Sequence, residues 1–226
     1  MTLYQSRFSF DHQLVFESQD FILSHSNQDA YNYLMQPDSW HVYGAILVGP
    51  SGSGKSHFAT LWARNMHAAF YSASQWRPHM LQEMLQHICP IVIDDMDRFD
   101  DPEAFFHVLN HQKSHEQALL LTSSCPVSAL KTSLPDLNSR LMQLPELPFL
   151  APDDLLMKQL IMKHASDRQL NLPSAVVEFI VARIERSGRS VAKLVERIDH
   201  AAIDQRRAIT VPFMRELLAD SSICTD

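Results

Sequence analysis

The segment GPSGSGKS at residues 49–56 constrains the fold of this chain more than any other feature of its sequence. The sequence contains five glycines, and Gly49, Gly52 and Gly54 fall within this segment. Glycine lets a backbone turn tightly and approach a ligand closely, so the segment predicts a loop whose N–H groups surround phosphate oxygens. A buried-strand pattern at residues 43–48 precedes the loop, and helical spacing follows it at residues 55–66. This order is the one that a Walker A phosphate-binding loop requires.

The residue types inside this loop indicate separate tasks in nucleotide binding. Lys55 would reach the outer phosphates, Ser56 would offer its hydroxyl to Mg²⁺, and the positive end of the helix that follows would face the anion. We therefore predict a nucleotide site with Mg²⁺. Its loop residues are Gly49, Pro50, Gly52, Ser53, Gly54, Lys55 and Ser56.

A second apolar run, at residues 90–93, ends in Asp94 and Asp95 about 40 residues after the glycine loop. Carboxylates that emerge where a buried strand ends are typical of a Walker B motif. We predict that Asp94 holds Mg²⁺ together with Ser56. Asp95 occupies the place where many such enzymes keep a glutamate that polarises the attacking water, so it is a candidate catalytic residue.

The pattern of apolar residues predicts an α/β fold, a P-loop nucleotide-binding domain with a mostly parallel sheet. Helical spacing alternates with apolar runs of strand length along this part of the chain. The predicted strands are residues 43–48, 68–71, 90–93, 118–122 and 142–147, and the last is an edge strand because Pro145 cannot donate to a ladder. The predicted helices are residues 27–35, 55–66, 80–87 and 102–115.

After Pro152 the pattern becomes entirely helical, which predicts a small all-helical lid. Ser190 is a candidate N-cap for a helix with an apolar inner face. The predicted helices are residues 153–169, 173–185, 190–206 and 210–218, and the inner face consists of Val191, Leu194, Val195 and Ile198. The predicted organisation is a tail at residues 1–19, the α/β domain at 20–150 and the lid at 151–220.

Composition excludes several classes of function. The net charge of −7 opposes direct binding to the phosphate backbone of DNA, so we predict no sequence-specific DNA binding. Three cysteines without a CxxC pair suggest neither a disulfide framework nor a zinc site. No apolar run approaches the roughly 20 residues of a membrane span. A cytoplasmic protein without membrane contact is the expectation.

Several further segments resemble the DnaA-type family of AAA+ ATPases. The similarity includes GKSHF at residues 54–58, the two aspartates at 94–95 and LTS at 121–123 ahead of a proline. Residues 20–27 resemble the family's segment beside the adenine, LNSRL at 137–141 resembles its SRL box, and GRS at 188–190 resembles the start of its sensor 2 helix. The similarity spans roughly residues 15–218.

This resemblance implies roles that the residue types alone do not establish. Arg140 would be an arginine finger that reaches the nucleotide of a neighbouring subunit, and Arg189 would contact phosphates of the chain's own ADP or ATP. Ser123 lies in the sensor 1 region, where a serine at the next position replaces the aspartate usual in initiators; this departure argues against strong hydrolysis by the chain itself. Ile22, Leu23 and His57 complete the implied nucleotide site.

The resemblance also implies a regulatory function. Initiators carry a C-terminal helix-turn-helix domain, whereas this sequence ends soon after its lid, as in the family's regulators of replication initiation. Such a regulator, with the DNA-loaded sliding clamp of DNA polymerase III, stimulates ATP hydrolysis by the DnaA initiator. In the tail, Gln5, Phe8 and Phe10 resemble a clamp-binding peptide, although Ser6 stands where a leucine is usual.

Other interpretations remain open on the sequence alone. A self-hydrolysing AAA+ ATPase such as a helicase loader would show strong ATPase activity by itself. A clamp-loader subunit would be expected to have a further collar domain, and a small-molecule kinase would need residues for an acceptor substrate. The sequence does not decide whether ADP or ATP is the working ligand, nor whether the chain forms a homo-oligomer. The tail is also consistent with a frayed end that carries two phenylalanines.

Overall fold

The computed structural model describes residues 21–130, 132–205 and 207–219. In its α/β part, strands alternate with helices as the sequence predicted. The strands are β1 (Gly44–Val48), β2 (Ala69–Ser72), β3 (Ile91–Asp94), β4 (Leu119–Ser123) and β5 (Glu146–Pro148). The helices are α1 (Gln28–Leu34), α2 (Lys55–Asn65), α3 (Pro78–Gln86), α4 (Pro102–Ser114) and α5 (Pro135–Leu141). Short 3₁₀ turns connect several of them.

The strands form one parallel sheet in the order β2-β3-β4-β1-β5. Parallel strands need helical crossovers, which cover both faces of the sheet. Alternate residues of a strand therefore enter different cores. Ile91 and Ile93 pack with α3, α4 and α5, whereas Val92 packs with α1 and α2. The fold class predicted from the sequence is confirmed.

The lid packs around a core of its own. It consists of α6 (Asp154–Asp167), α7 (Ser174–Val181), α8 (Gly188–Gln205) and α9 (Val211–Ala219). Val191, Leu194, Val195 and Ile198 lie in this core, as the spacing predicted, with Phe213 and Met214 of α9. No helix within the described ranges is long and apolar enough to cross a membrane.

The predicted strand at residues 142–147 begins too early. Residues 135–141 form α5, and Met142 is its C-cap, with its N–H bonded to the carbonyl oxygen of Asn138 at 3.0 Å. The backbone N–H groups of Met142 and Leu144 bond to carbonyl oxygens of α5, so they cannot donate to a neighbouring strand. The strand begins at Glu146 and pairs with β1, and its edge position is confirmed.

Two details of the lid also differ from the predictions. The helix predicted to reach residue 185 ends at Val181, and Ala182 is its C-cap, with its N–H bonded to the carbonyl oxygen of Glu178 at 3.2 Å. The N-cap of α8 is Ser187 and not Ser190. Ser187 Oγ accepts the N–H of Ser190 at 3.0 Å, so Ser190 lies inside the first turn.

Candidate nucleotide site

The glycine loop connects β1 to α2 at the carboxyl edge of the sheet. The segment that follows β5 packs closely against this loop, because a Cβ on Gly49 would lie 1.9 Å from the carbonyl oxygen of Phe149. Gly54 has φ +103°, a left-handed conformation that favours glycine. Backbone N–H groups in such turns form anion-binding concavities. The loop thus has the backbone that a phosphate needs.

Lys55 is buried against the inside of this loop, with 5% of its surface exposed. Its Nζ donates to the carbonyl oxygens of Gly49 at 2.7 Å and Pro50 at 2.9 Å. Burial lowers the pKa of Lys55, while the negative charges of Asp95 and Asp94 act in the opposite direction. An ammonium with three donors keeps one hydrogen for a ligand after these two bonds.

Ser53 offers the clearest sign that the loop fits a phosphate. Its Oγ is buried and has no hydrogen-bond partner among the described residues. A buried hydroxyl without a partner carries a free-energy cost, which an anionic oxygen would relieve. Together with Lys55 and the N-terminal end of α2, Ser53 forms a donor set suited to phosphate oxygens.

Asp94 and Asp95 follow one another at the end of β3, and their charges act on the ammonium group of Lys55. Asp94 is 8% exposed, and its Oδ1 accepts a hydrogen bond from Thr122 Oγ1 at 2.6 Å. Asp95 adopts a left-handed conformation with φ 56°, and its N–H donates to the same Thr122 oxygen at 2.8 Å. Burial, and then repulsion from Asp94, raises the pKa of the Asp95 carboxyl. These carboxylates and the exposed hydroxyl of Ser56 are oxygen ligands of the kind that Mg²⁺ prefers.

The structure does not bring the Ser123 hydroxyl to the acidic pair. Ser123 Oγ donates to the carbonyl oxygen of Cys125 at 2.6 Å and accepts its N–H at 3.2 Å. The hydroxyl of Ser124 donates to Asp97. Burial would raise the pKa of Asp97, but this bond and one from the Ser124 N–H lower it. Thr122, which bonds to both aspartates, was not among the site residues predicted from the sequence.

The segment that carries Ile22 and Leu23 lies beside the start of α2. The Phe21 ring stacks on His57, with 6.2 Å between ring centroids, and meets the Phe58 ring edge to face at 5.2 Å. Asn27 Nδ2 donates to the carbonyl oxygen of Ile22 at 3.0 Å, which fixes the backbone of the segment. Leu23 is 43% exposed, so apolar surface is available next to the loop.

The lid touches the glycine loop directly. The N–H of Gly188 donates to the carbonyl oxygen of Gly52 at 3.3 Å. A Cβ on Gly52 would lie 2.4 Å from the Cβ of Ser187, so this contact needs a bare α-carbon. Arg189, one residue further along α8, is exposed. The contact brings the first turn of α8 to the loop, which sets Arg189 near the candidate site.

Arg140 lies at the amino edge of the sheet, where the strands begin, opposite the carboxyl edge that carries the glycine loop. Its guanidinium covers the Phe106 ring, with Cζ 5.1 Å from the ring centroid, and its charge acts on Tyr43, the residue before β1. The glycine loop follows the other end of β1. Five strand residues at about 3.3 Å each separate these ends by roughly 16 Å. Arg140 therefore does not face the loop of its own chain.

The tail residues Gln5, Phe8 and Phe10 lie outside the described residues. Their proposed contact with the clamp stays a prediction. The functional roles of the other site residues also stay predictions.

Comparisons with known proteins agree with this geometry. Residues 154–218 match the family model described as "Hda, lid domain". The fold is similar to that of domain III of the replication initiation protein DnaA from Thermotoga maritima. The TM-score is 0.77 at 14% identity, and the match covers 89% of this chain and 95% of that one.

Two other solved structures have the same fold. One is the replication initiator DnaA bound to AMPPCP and single-stranded DNA, with a TM-score of 0.70, 17% identity, and coverage of 84% of this chain and 67% of that one. The other is the RuvB Holliday junction branch migration motor of Thermotoga maritima, with a TM-score of 0.69, 18% identity, and coverage of 88% and 69%. The chain therefore shares the fold of these proteins, and its residues 154–218 belong to the Hda lid-domain family.

Proposed function

We propose that this chain is an Hda-type negative regulator of replication initiation. It binds ADP or ATP with Mg²⁺ at its glycine loop and, together with the sliding clamp, stimulates ATP hydrolysis by the DnaA initiator. The observation that carries the proposal is the combination of an Hda-type lid at residues 154–218 with a glycine loop that the lid touches at Gly52.

Nucleotide binding is supported by the donor set of the loop. Lys55 and the unpartnered Ser53 hydroxyl supply donors for phosphate oxygens, and Arg189 supplies a further cation from the lid. Ser56 and Asp94 are the residues that would hold Mg²⁺, which neutralises phosphate charge when bound. The solved DnaA structure with AMPPCP supports a nucleoside triphosphate analogue as the kind of ligand to test.

Action on a second protein is supported by the location of Arg140. It lies at the edge of the sheet away from the loop of its own chain, on the Phe106 ring. A guanidinium is always charged and donates in a fixed fork, so it stabilises the charge that grows on a transferring phosphoryl group. We propose that this group is the γ-phosphoryl of ATP bound to the initiator.

The clamp is the proposed second partner, through Gln5, Phe8 and Phe10 in the tail. A glutamine followed by aromatic anchors suits a peptide that fills an apolar pocket. The chain would then be held near DNA without binding its phosphates directly, which agrees with the net charge of −7.

A reconstituted reaction tests the proposal. DnaA is loaded with labelled ATP, and ADP formation from that label is timed with the chain and DNA-loaded clamp, with either one omitted as the control. We expect ADP to form faster only when both are present. Unchanged hydrolysis of the label, combined with rapid hydrolysis of free ATP by the chain alone, would favour a self-hydrolysing ATPase such as a helicase loader.

A further inference from the structure

We propose that Thr122 is a positioning residue for both carboxylates of the acidic pair, and that through Asp94 it sets the response of the nucleotide site to Mg²⁺. This inference rests on the proposed nucleotide binding. It concerns one fully buried side chain near the carboxyl end of β4, which links β4 to the end of β3.

The direction of both hydrogen bonds at Thr122 follows from chemistry. A backbone N–H can only donate, so the Thr122 oxygen accepts from Asp95 N at 2.8 Å. The hydroxyl proton is then directed to Asp94 Oδ1 at 2.6 Å. One hydroxyl thus fixes the carboxylate of Asp94 directly and the backbone of Asp95.

The backbone bond matters because Asp95 is left-handed, with φ 56° and ψ 47°. Non-glycine residues adopt this region infrequently, and surrounding contacts must hold them there. Thr122 lies 27 residues further along the chain and supplies such a contact. The direction in which Asp95 leaves the strand therefore depends on a neighbouring strand.

The other hydroxyls at this end of β4 have different partners. Ser123 bonds to the backbone of Cys125, and Ser124 bonds to Asp97. Within the described part of the chain, Thr122 is the side chain that donates a hydrogen bond to the Asp94 carboxylate. Because the Thr122 hydroxyl bonds to Oδ1, the other carboxylate oxygen of Asp94, Oδ2, is available to a hydrated cation. The same hydrogen bond restrains rotation of the carboxylate.

A pair of variants separates this role from simple packing. Thr122→Val keeps the shape of the side chain and removes the hydroxyl, whereas Thr122→Ser keeps the hydroxyl and removes a methyl group. For each protein, the affinity for ADP is measured by calorimetry in Mg²⁺ and in EDTA. The ratio of the two affinities reports the contribution of the cation, and the EDTA value reports the loop alone.

We expect the parent and Thr122→Ser to have similar ratios, and Thr122→Val to have a ratio lower by roughly fivefold, the scale of one hydrogen bond. The EDTA affinity should stay within about twofold in all three. In an Asp94→Asn background, Thr122→Val should cause no further fall in the ratio, because Thr122 acts through that carboxylate. If Thr122→Val does not fold, Thr122→Ala takes its place with the same expectation.

An unchanged ratio in Thr122→Val, or an equal fall in Mg²⁺ and EDTA, would overturn the inference, since Thr122 would then only pack. A parent whose ADP affinity is the same in both conditions would also overturn it. A parent that binds no ADP at all would instead refute the proposed function on which the inference rests.

Discussion

The carboxyl edge of the parallel sheet, where its strands end, differs in chemistry from the amino edge, where they begin. At the carboxyl edge, burial lowers the pKa of Lys55 and raises the pKa of Asp95, and the charge of Asp94 acts on both groups. At the amino edge, Arg140 rests on the Phe106 ring near Tyr43. The first edge has donors and acceptors for a nucleotide and its cation, and the second has the guanidinium of Arg140.

In the proposed function, this difference separates nucleotide binding by the chain from its action on the initiator. A site for the chain's own nucleotide needs glycines, a buried ammonium and carboxylates close together, and these lie at one edge. A group that acts on another protein's nucleotide must instead be at the surface and away from that site. Variants at one edge should therefore leave the property of the other edge intact.

The largest effect is expected at the amino edge. Arg140→Ala should lower the stimulation of DnaA-bound ATP hydrolysis by about 10³-fold or more, since an arginine finger stabilises the transition state on that scale. The measurement is the timed formation of ADP from labelled DnaA-bound ATP with DNA-loaded clamp. Arg64→Ala, an exposed arginine in the last turn of α2, is the matched control and should leave the rate unchanged. Full stimulation by Arg140→Ala would make Arg140 structural.

A smaller effect is expected at the carboxyl edge. Lys55→Ala should weaken ADP binding by about thirtyfold, the scale of a charge-assisted hydrogen bond. Titration calorimetry with ADP and Mg²⁺ measures it. Lys113→Ala, exposed on α4, removes the same charge elsewhere and should bind ADP like the parent. Equal affinity for Lys55→Ala and the parent would contradict the account of the loop.

The tail should matter to neither edge. Gln5→Ala or Phe10→Ala should weaken clamp binding by about thirtyfold, because truncating an anchor in a peptide pocket commonly costs over 2 kcal/mol. Binding to immobilised clamp is the readout, with ADP affinity and melting temperature expected to match the parent. Normal clamp binding by both variants would remove the tail from the proposed function.

The smallest effect is a pH dependence at Asp95. Burial and the charge of Asp94 raise its pKa, so ionised Asp95 destabilises the fold, and this penalty appears as the pH rises above the ordinary value near 3.8. Asp95→Asn should therefore raise the melting temperature at pH 7 by about 1 °C, and the gain should disappear below about pH 4. Thermal melts across that range measure it, with exposed Asp100→Asn as control. A lower melting temperature for Asp95→Asn at pH 7 would contradict this sign.

Local patterns predicted most of the fold. The strand, glycine loop and helix around Lys55 could be recognised because glycine positions and apolar periodicity are local signals. The inner face of α8 followed from its spacing in the same way. The boundary of β5 could not be predicted from apolar residues alone, because Met142 and Leu144 donate to the end of α5.

The site was less accessible to sequence reasoning where it depends on contacts between strands. Thr122 reads as an ordinary buried strand residue, and only the pairing of β3 with β4 brings it to Asp94. Likewise, the sequence predicted Ser190 as the N-cap of α8, whereas in the structure Ser187 Oγ accepts the N–H of Ser190 and Ser187 is the cap. For Thr122, the available sequence signal was its place directly before two serines at the end of a strand.

The most direct test of the separation between the two edges is the chain's own affinity for ADP in the Arg140→Ala variant. Calorimetry with Mg²⁺ compares it with the parent and with Lys55→Ala. The account predicts that Arg140→Ala binds ADP with the parental affinity, because the guanidinium lies at the far edge of the sheet. A loss of affinity as large as that of Lys55→Ala would contradict it and assign Arg140 to the chain's own nucleotide.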